Sequence, residues 1–388
     1  MSESDDFKRR LESYEKGELS AEEAKEIEKE LEDMEKYLEE TNKVNMGRLT
    51  STDIPEKKQK KIMRFAKWKA RFQTAFMVIG LFMLFSFASS ALTMIYYSVG
   101  TPDRLDKLRN IVDYSMTIMN PYGYIDGTSS NTSAYFGMTA SRDINKIIGD
   151  DVIKVGELET DFFFSNMSYP EITYYGPVTK NSPAFIYPGS SSRGFSGWES
   201  LKKVPEGTVV SAYVSFTELM ETEEVFSLFE NKDMRLIWLA VDTGFEKNEE
   251  AIFEPIGFPS DPIWHEDDMI VDFQNEEKGF FGTKIVSEGS SSPEYEVGEG
   301  EPLHIQFLKT LRFLNGYEEK AEQFYMGELN LSKRIQYLKK HGIKHYGAVV
   351  TGPTKEVLKL KDEGKISDLE VDEIDFWNWE SELNEEWE

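Results

Sequence analysis

The most restrictive feature of this 388-residue chain is a run of 31 residues, Phe72 to Pro102, that contains no acidic, basic or histidine side chain. The chain as a whole is 30% charged, so the run stands apart from its surroundings. As a helix, its apolar core from Thr74 to Tyr97 would reach about 36 Å, which exceeds the roughly 30 Å of a bilayer's hydrocarbon. A buried core helix is the alternative, but a helix that is apolar on every face needs a large surrounding protein. The run therefore predicts a single membrane-spanning helix over residues 72–99.

The two flanks of the run differ in charge. Eight cations and no acid precede it, namely Lys57, Lys58, Lys60, Lys61, Arg64, Lys67, Lys69 and Arg71, whereas mixed charges follow it. The positive-inside rule therefore places the N-terminus in the cytoplasm and the C-terminal region, residues 103–388, outside the cell membrane. Basic side chains beside a span also meet anionic headgroups, so residues 57–71 are predicted to lie at the membrane surface rather than on nucleic acid. A cleaved signal peptide is excluded because the run begins so far into the chain and is too long.

The charge balance and the cysteine content argue against further classes of function. The C-terminal region carries 53 acids and 27 bases, which argues against binding of nucleic acid through simple charge attraction. The chain contains no cysteine, so neither disulfides nor thiol chemistry are available. A region of this length can bury a core without disulfides, either as one large domain or as two small ones.

The N-terminal segment, residues 1–56, predicts two helices, residues 4–16 and 20–42. Ser20 followed by Glu23 forms a capping-box pattern at the start of the second helix. Apolar side chains on the two helices fall at helical spacing, and we take them as candidate partner-binding residues: Phe7, Leu11, Tyr14, Ile27, Leu31, Met34 and Leu38. The segment has too few apolar residues to fold as an independent globule. A marginal helical hairpin is therefore expected.

Two interpretations of the apolar stripe remain open. The helices could pair with each other or dimerise as a short coiled coil. Alternatively, the second helix could dock into a groove of a partner, and its acidic surface would then favour a basic one. Basic cytoplasmic surfaces commonly face DNA, so a tethered acidic helix pair could occlude such a surface.

The C-terminal region is predicted to be α+β. Residues 103–200, the proximal part, give no clear fold. In residues 201–388, a strand, a helix and a strand occur in the same order twice, and two βαβ units of this kind would form a ferredoxin-like sandwich. The first unit is predicted at 208–216, 220–231 and 234–243, the second at 345–351, 352–364 and 366–379, with helices at 303–315 and 330–341 between them.

Catalytic and metal-binding patterns are absent or weak. No histidine spacing typical of a zinc site occurs, and the acidic sequence Trp264 to Asp268 is better explained as a solvated loop than as a cation site. Gly194 to Gly197 misses the nucleophile-elbow spacing by one residue, and Thr351 to Lys355 lacks the phosphate-loop spacing. We therefore predict no enzyme activity, no metal and no cofactor.

Five segments resemble the anti-sigma factors that restrain sigma-M and related extracytoplasmic-function sigma factors in Bacillus-like bacteria. The segments are DDFKRRLESYEKGELSAEEAKEIEKELEDMEKY, PEGTVVSAYVSF, EPIGFP, HYGAVVTGPTKEVLKL and VDEIDFWNW, the last two being the most specific. The resemblance implies a cytoplasmic segment that binds the sigma factor and an outer domain that registers envelope stress. It also implies that a second small membrane protein assists some members.

The resemblance further implies how the residues would act. The predicted N-terminal helices would wrap the sigma factor through the stripe and keep it from DNA. Residues 201–388 would be the sensor domain. Unlike anti-sigma factors that bind zinc, this chain has no cytoplasmic histidine or cysteine, so its inhibitory fold would be metal-free. A membrane-tethered cell-wall enzyme and an envelope assembly or scaffold protein are the alternatives.

Overall fold

The computed structural model describes residues 10, 13, 14, 20–48, 56–175, 183–191, 194–279 and 282–377. Two of the predicted stripe residues, Phe7 and Leu11, lie outside the described residues. The chain divides into two compact units, Met1–Met83 and Leu84–Glu388.

Two helices dominate the first part of the chain. Helix α1, Ala21–Arg48, follows Ser20. Helix α2, Glu56–Tyr97, has 42 residues and is therefore about 63 Å long. Among the described residues, one helix is long and apolar enough to cross a membrane, and it is this one, over Lys60–Tyr97. Its most apolar window is only 6% buried, which argues against the core-helix alternative. The helix ends two residues before the predicted boundary at residue 99.

An antiparallel sheet follows, in the proximal part for which the sequence predicted no fold. Helix α3, Arg104–Met119, has Asp103 as its N-cap. The Asp103 carboxylate accepts a hydrogen bond from the Asp106 amide at 2.8 Å. The strands after it pair in the order β1-β2-β3-β4, and β5 pairs with β3. Their bounds are β1 Ser129–Ser133, β2 Gly137–Ile148, β3 Asp151–Phe163, β4 Asn166–Met167 and β5 Glu171–Tyr174. Helix α4, Gly197–Leu201, leads into the next sheet.

A second antiparallel sheet contains all four strands that the sequence predicted. The strand order is β12-β6-β11-β7-β8. Each predicted βαβ unit is thus split, because its two strands lie on either side of a strand from the other unit. The bounds are β6 Thr208–Met220, α5 Thr222–Phe229, β7 Arg235–Val241 and β8 Gly257–Pro259 in the first half, with β11 His345–Pro353, α9 Thr354–Lys359 and β12 Ile366–Phe376 in the second.

Three further helices and a hairpin lie between the halves of this sheet. The helices are α6 Gly300–Asn315, α7 Glu318–Ala321 and α8 Leu331–His341. The hairpin, β9 Ile270–Gly279 with β10 Gly282–Ser291, was not predicted. The main core cluster joins β6, β11 and β7 to α6 and α8, through fully buried residues such as Val214, Leu239, Phe307 and Leu331. A second cluster, which includes Ile111 and Leu158, joins α3 to the first sheet.

Candidate functional site

The N-terminal helix α1 is held at its start by its own cap and by contacts from residues before it. Ser20 and Glu23 form the predicted capping box: the Ser20 amide donates to Glu23 Oε2 at 3.0 Å and the Glu23 amide donates to Ser20 Oγ at 3.4 Å. Hydrogen bonds from Ser20 lower the pKa of the Glu23 carboxyl. The helix start therefore holds a negative charge where the helix dipole favours it.

Arg10 and Tyr14 contact α1 from the N-terminal side of the chain. Arg10 lies 3.6 Å from Glu26 and 3.5 Å from Glu30, and the Tyr14 hydroxyl donates to Glu28 at 2.8 Å. That hydrogen bond raises the pKa of Tyr14. Arg10 and Tyr14 therefore lie alongside the second and third turns of α1. Contacts of this exposed kind contribute little to stability.

The four residues of the predicted stripe that lie on α1 divide into one buried and three exposed residues. Ile27, at the level of the Arg10 and Tyr14 contacts, is 0% exposed. Further along the same face, Leu31 is 36% exposed, Met34 45% and Leu38 56%. An amphipathic face normally buries its apolar residues against the protein. The distal half of this stripe is therefore an apolar surface that remains accessible to a partner.

The basic segment before the span is accessible in the same way. All eight predicted membrane-surface cations, from Lys57 to Arg71, are exposed along the N-terminal half of α2. Trp68 and Phe72 are also exposed, and their rings lie 5.4 Å apart. Cations interleaved with aromatic rings suit the headgroup layer of a membrane.

The far end of α2 is fastened to the first sheet by a set of contacts that we call the joint. Its helix side consists of Ser86, Ser89, Thr93, Tyr96 and Tyr97, and its sheet side consists of the β1–β2 turn, residues 134–136, and the β3–β4 turn, residues 164–165. Ser89 Oγ accepts a hydrogen bond from the Tyr135 amide at 2.8 Å, and Thr93 Oγ1 accepts one from the Phe136 amide at 2.9 Å. The Tyr135 hydroxyl lies 2.7 Å from Ser86 Oγ. The small polar residues of the span thus contact the chain's own turns.

Aromatic residues complete the joint. The Tyr97 hydroxyl donates to the carbonyls of Phe136 and Phe164, each at 3.0 Å, and the Tyr96 hydroxyl pairs with Ser165 at 3.0 Å. The Phe136 and Phe164 rings stack at 4.4 Å, with the Tyr96 ring edge-on to both. Three turn residues, Tyr135, Phe136 and Phe164, have positive φ angles between 56° and 66°. Such conformations cost about 1–3 kcal/mol each in a non-glycine residue and persist only where the surroundings enforce them.

Comparison with known proteins shows the family to which this chain belongs. A model described as "Sigma factor regulator N-terminal" matches residues 60–153, and one described as "Sigma factor regulator C-terminal" matches residues 201–373. The chain belongs to the sigma factor regulator family. A relative from Bacillus subtilis strain 168, described as a probable anti-sigma-M factor, YhdL, is 26% identical across 97% of this chain and 99% of its own length. No solved structure matches the chain significantly.

Membership of the sigma factor regulator family has direct consequences for the site. A sigma factor regulator implies a sigma factor as partner, and members of the family are generally regulators rather than enzymes. The N-terminal match covers most of α2 and the joint's β1–β2 turn, whereas the C-terminal match covers the second sheet. Neither match includes the stripe on α1, which precedes residue 60.

An acidic loop in the C-terminal region of this sigma factor regulator forms ion pairs with a lysine of α6. The acidic loop that ends in Asp268 pairs with Lys309, whose Nζ lies 2.7 Å from both Asp267 and Asp268. Burial, and next the charge of Lys309, lower the pKa of His265 to about 4, so its ring is neutral at pH 7. Among the described residues, no group of three or more His, Cys, Asp or Glu could hold a metal ion.

Sequence reasoning missed the joint, although a signal was present. In an acidic region, residues 127–141 and 162–170 contain no charged side chain, and each segment holds one of the two turns.

Proposed function

We propose that this sigma factor regulator is an anti-sigma factor that holds an extracytoplasmic-function sigma factor at the cell membrane. In this proposal the cytoplasmic segment binds the sigma factor, α2 crosses the membrane, and the C-terminal region responds to envelope stress by releasing it. The partner surface is the stripe of Phe7, Leu11, Tyr14, Ile27, Leu31, Met34 and Leu38. Binding through this face would keep the sigma factor from promoter DNA.

The observation that carries the proposal is the exposed half of the stripe. Leu31, Met34 and Leu38 project apolar surface from a helix otherwise covered in Glu and Lys, and residues 1–56 carry twice as many acids as bases. A helix-in-groove interaction needs such anchors at i, i+3 and i+7. Charge complementarity with a basic DNA-reading surface would add to the association rate and to specificity.

The remaining parts of the proposal rest on charge and topology. The cations from Lys57 to Arg71 support a cytoplasmic N-terminus by the positive-inside rule. The split βαβ order of the second sheet supports a ferredoxin-like sensor domain over residues 201–388. A second small membrane protein, if one takes part, would contact the exposed lipid-facing side chains of α2, such as Phe87 and Leu92.

The proposal is tested by replacing Leu31 and Met34 together with Asp in the full-length protein. Each side chain would bury its remaining exposed surface in the complex, worth about 1 kcal/mol, so the double variant should bind the sigma factor about 30-fold more weakly. Transcription from a promoter that depends on the sigma factor should rise accordingly. Co-purification of the sigma factor with membranes measures the binding directly.

Lys29→Gln with Lys36→Gln is the matched control. Both lysines are exposed on the opposite face of α1, and the pair changes the net charge by the same amount as the Asp pair. Leu31→Gln with Met34→Gln separates loss of contact from loss of helix, because Gln is a good helix former. Full repression by both stripe variants would refute the assignment of the stripe.

A further inference from the structure

The two turns of the joint have a composition that suits lipid rather than water. The uncharged segment 127–141 contains the β1–β2 turn, and the uncharged segment 162–170 contains the β3–β4 turn. Apolar aromatic surface is exposed here: Tyr135 is 42% exposed, Phe163 59% and Tyr169 78%. Aromatic side chains with one polar end are typical of the layer between the headgroups and the hydrocarbon.

The backbone at these turns is also unusual, because side chains of α2 supply hydrogen-bond partners for its amides and carbonyls. The amides of Tyr135 and Phe136 donate to hydroxyls of α2, and the Tyr97 hydroxyl binds two turn carbonyls. The Phe164 amide donates to the Phe136 carbonyl at 2.9 Å. A surface turn normally leaves such groups to water, and irregular backbone enters a membrane only where protein satisfies it.

The length of α2 places the joint at membrane depth. Arg71 is its last cation, and about 20 helical residues span the hydrocarbon, so a span that starts at Phe72 extends to about residue 91. Ser86 and Ser89 then lie within the hydrocarbon's outer edge, and Tyr135, which contacts both, lies at the same depth. Moving Ser86 out of the membrane would draw Lys67, Lys69 and Arg71 into it, which is unfavourable.

We propose that the β1–β2 and β3–β4 turns are a lipid-binding surface, immersed beside α2 in the leaflet on the side of the C-terminal region. The occupant is the boundary between phospholipid headgroups and acyl chains. Asp161, two residues before Phe163, accepts a hydrogen bond from Thr139 at 2.6 Å and marks the depth at which the sheet leaves the lipid. The proposal rests on α2 spanning the membrane, as in the proposed function.

Site-specific labelling tests the immersion, because the chain has no cysteine to remove. Three single-cysteine variants of the full-length protein, Phe163→Cys, Asp150→Cys and Phe87→Cys, are labelled with an environment-sensitive fluorophore and reconstituted into phospholipid vesicles. Some vesicles contain lipid with a nitroxide near the top of the acyl chain. Asp150 is the matched control, since it lies at the opposite end of β3, about 40 Å from Phe163. Phe87 reports on α2 itself.

Immersion predicts that the nitroxide lipid quenches the label at residue 163 at least 2-fold, similarly to residue 87, and leaves residue 150 unquenched. If residue 87 is quenched while residue 163 behaves like residue 150, the lipid surface is refuted and the membrane span stands. If none of the labels is quenched, the span itself fails and this inference fails with it. A blue-shifted but unquenched label at residue 163 would mean that a protein, such as a second copy, covers the turns instead of lipid.

Discussion

Acidification is expected to destabilise the C-terminal region through His345, a histidine of β11 whose side chain is 0% exposed. Its Nδ1 lies 3.3 Å from the Ala240 carbonyl and its Nε2 lies 2.8 Å from Thr222 Oγ1. The same Thr222 oxygen lies 2.6 Å from Nε2 of His304. The arrangement is satisfied when Nδ1 of His345 donates to Ala240, Thr222 donates to His345, and His304 donates to Thr222. If Nε2 of His345 were protonated, it would become a donor that faces the donating hydroxyl of Thr222.

The magnitude follows from the pKa of His345. Burial, and next the neighbouring His304, lower it from an ordinary value of about 6.5 to about 3. Between these values the unfolded chain binds a proton that the folded chain does not, so the free energy of unfolding falls as pH falls. The slope is about 1.4 kcal/mol per pH unit, and the loss between pH 7 and pH 5 is about 2 kcal/mol from His345 alone.

Other groups change stability over the same interval, so a variant is needed to isolate His345. Burial also lowers the pKa of His265 and His304, which adds to the loss on acidification. Burial raises the pKa of Asp368 and Glu373, which opposes it because the folded chain then binds protons more readily. The difference between wild type and His345→Gln cancels these contributions.

The assay is urea unfolding of the full-length protein in detergent micelles at pH 7, 6 and 5, followed by intrinsic tryptophan fluorescence, to which the buried Trp238 contributes. His345→Gln should lose about 2 kcal/mol less than wild type between pH 7 and pH 5. His341→Gln, at an exposed histidine of α8, is the matched substitution outside the buried network. Equal losses in wild type and His345→Gln would show that the folded protein protonates His345, and the argument from burial would be wrong.

Two further predictions concern stability. Glu246→Ala leaves Arg334, 2.8 Å away and almost fully buried, without its carboxylate, and should lower the free energy of unfolding in urea by about 3–5 kcal/mol. Glu206→Ala, whose partner Lys355 is exposed, should have a far smaller effect, and equal effects of the two variants would contradict the burial argument. Tyr97→Phe removes the hydroxyl that donates to two turn carbonyls and should lower the thermal midpoint by about 2–4 °C, whereas an unchanged midpoint would show that the joint does not stabilise the fold.

The second sheet was predictable because two of its inner strands are apolar on both faces. β7 and β11 are buried almost throughout, and the sequence runs LIWLAV and YGAVV show this directly. Helices α5 and α9 begin at Thr222 and Thr354, each two residues after the start of its predicted segment. β6 extends to Met220, four residues past its predicted end, because β11 pairs along its length. Local strand propensity alone carries no information about the pairing of β6 with β11.

The first sheet was missed for the opposite reason. In β3 the buried positions include Gly156 and Thr160, while Glu157, Glu159 and Asp161 face out, so the strand looks polar in sequence. Its alternation with period two was present but weak. The joint was out of reach in a different way, since it brings together α2 and turns more than 40 residues further along the chain, and no periodicity encodes such a contact.

The stripe shows a third limit. The sequence spacing does not distinguish the burial of Ile27 from that of Leu31, because both residues fall on the same face of one helix. Only the contacts of Arg10 and Tyr14 distinguish a buried anchor from an exposed one. The sequence therefore predicts a partner surface on α1 but does not show which part of that surface is already buried within the chain.

The hydrogen bonds of the joint set the free energy that its opening costs. Six hydrogen-bond contacts fasten α2 to the two turns, and at about 1 kcal/mol each they total about 6 kcal/mol. In the proposed function, an envelope signal that opens the joint would have to bind the open state more tightly than the closed state by at least this amount. Opening of this kind would change the end of α2 and leave intact the buried pairs that hold the fold, such as Arg334 with Glu246.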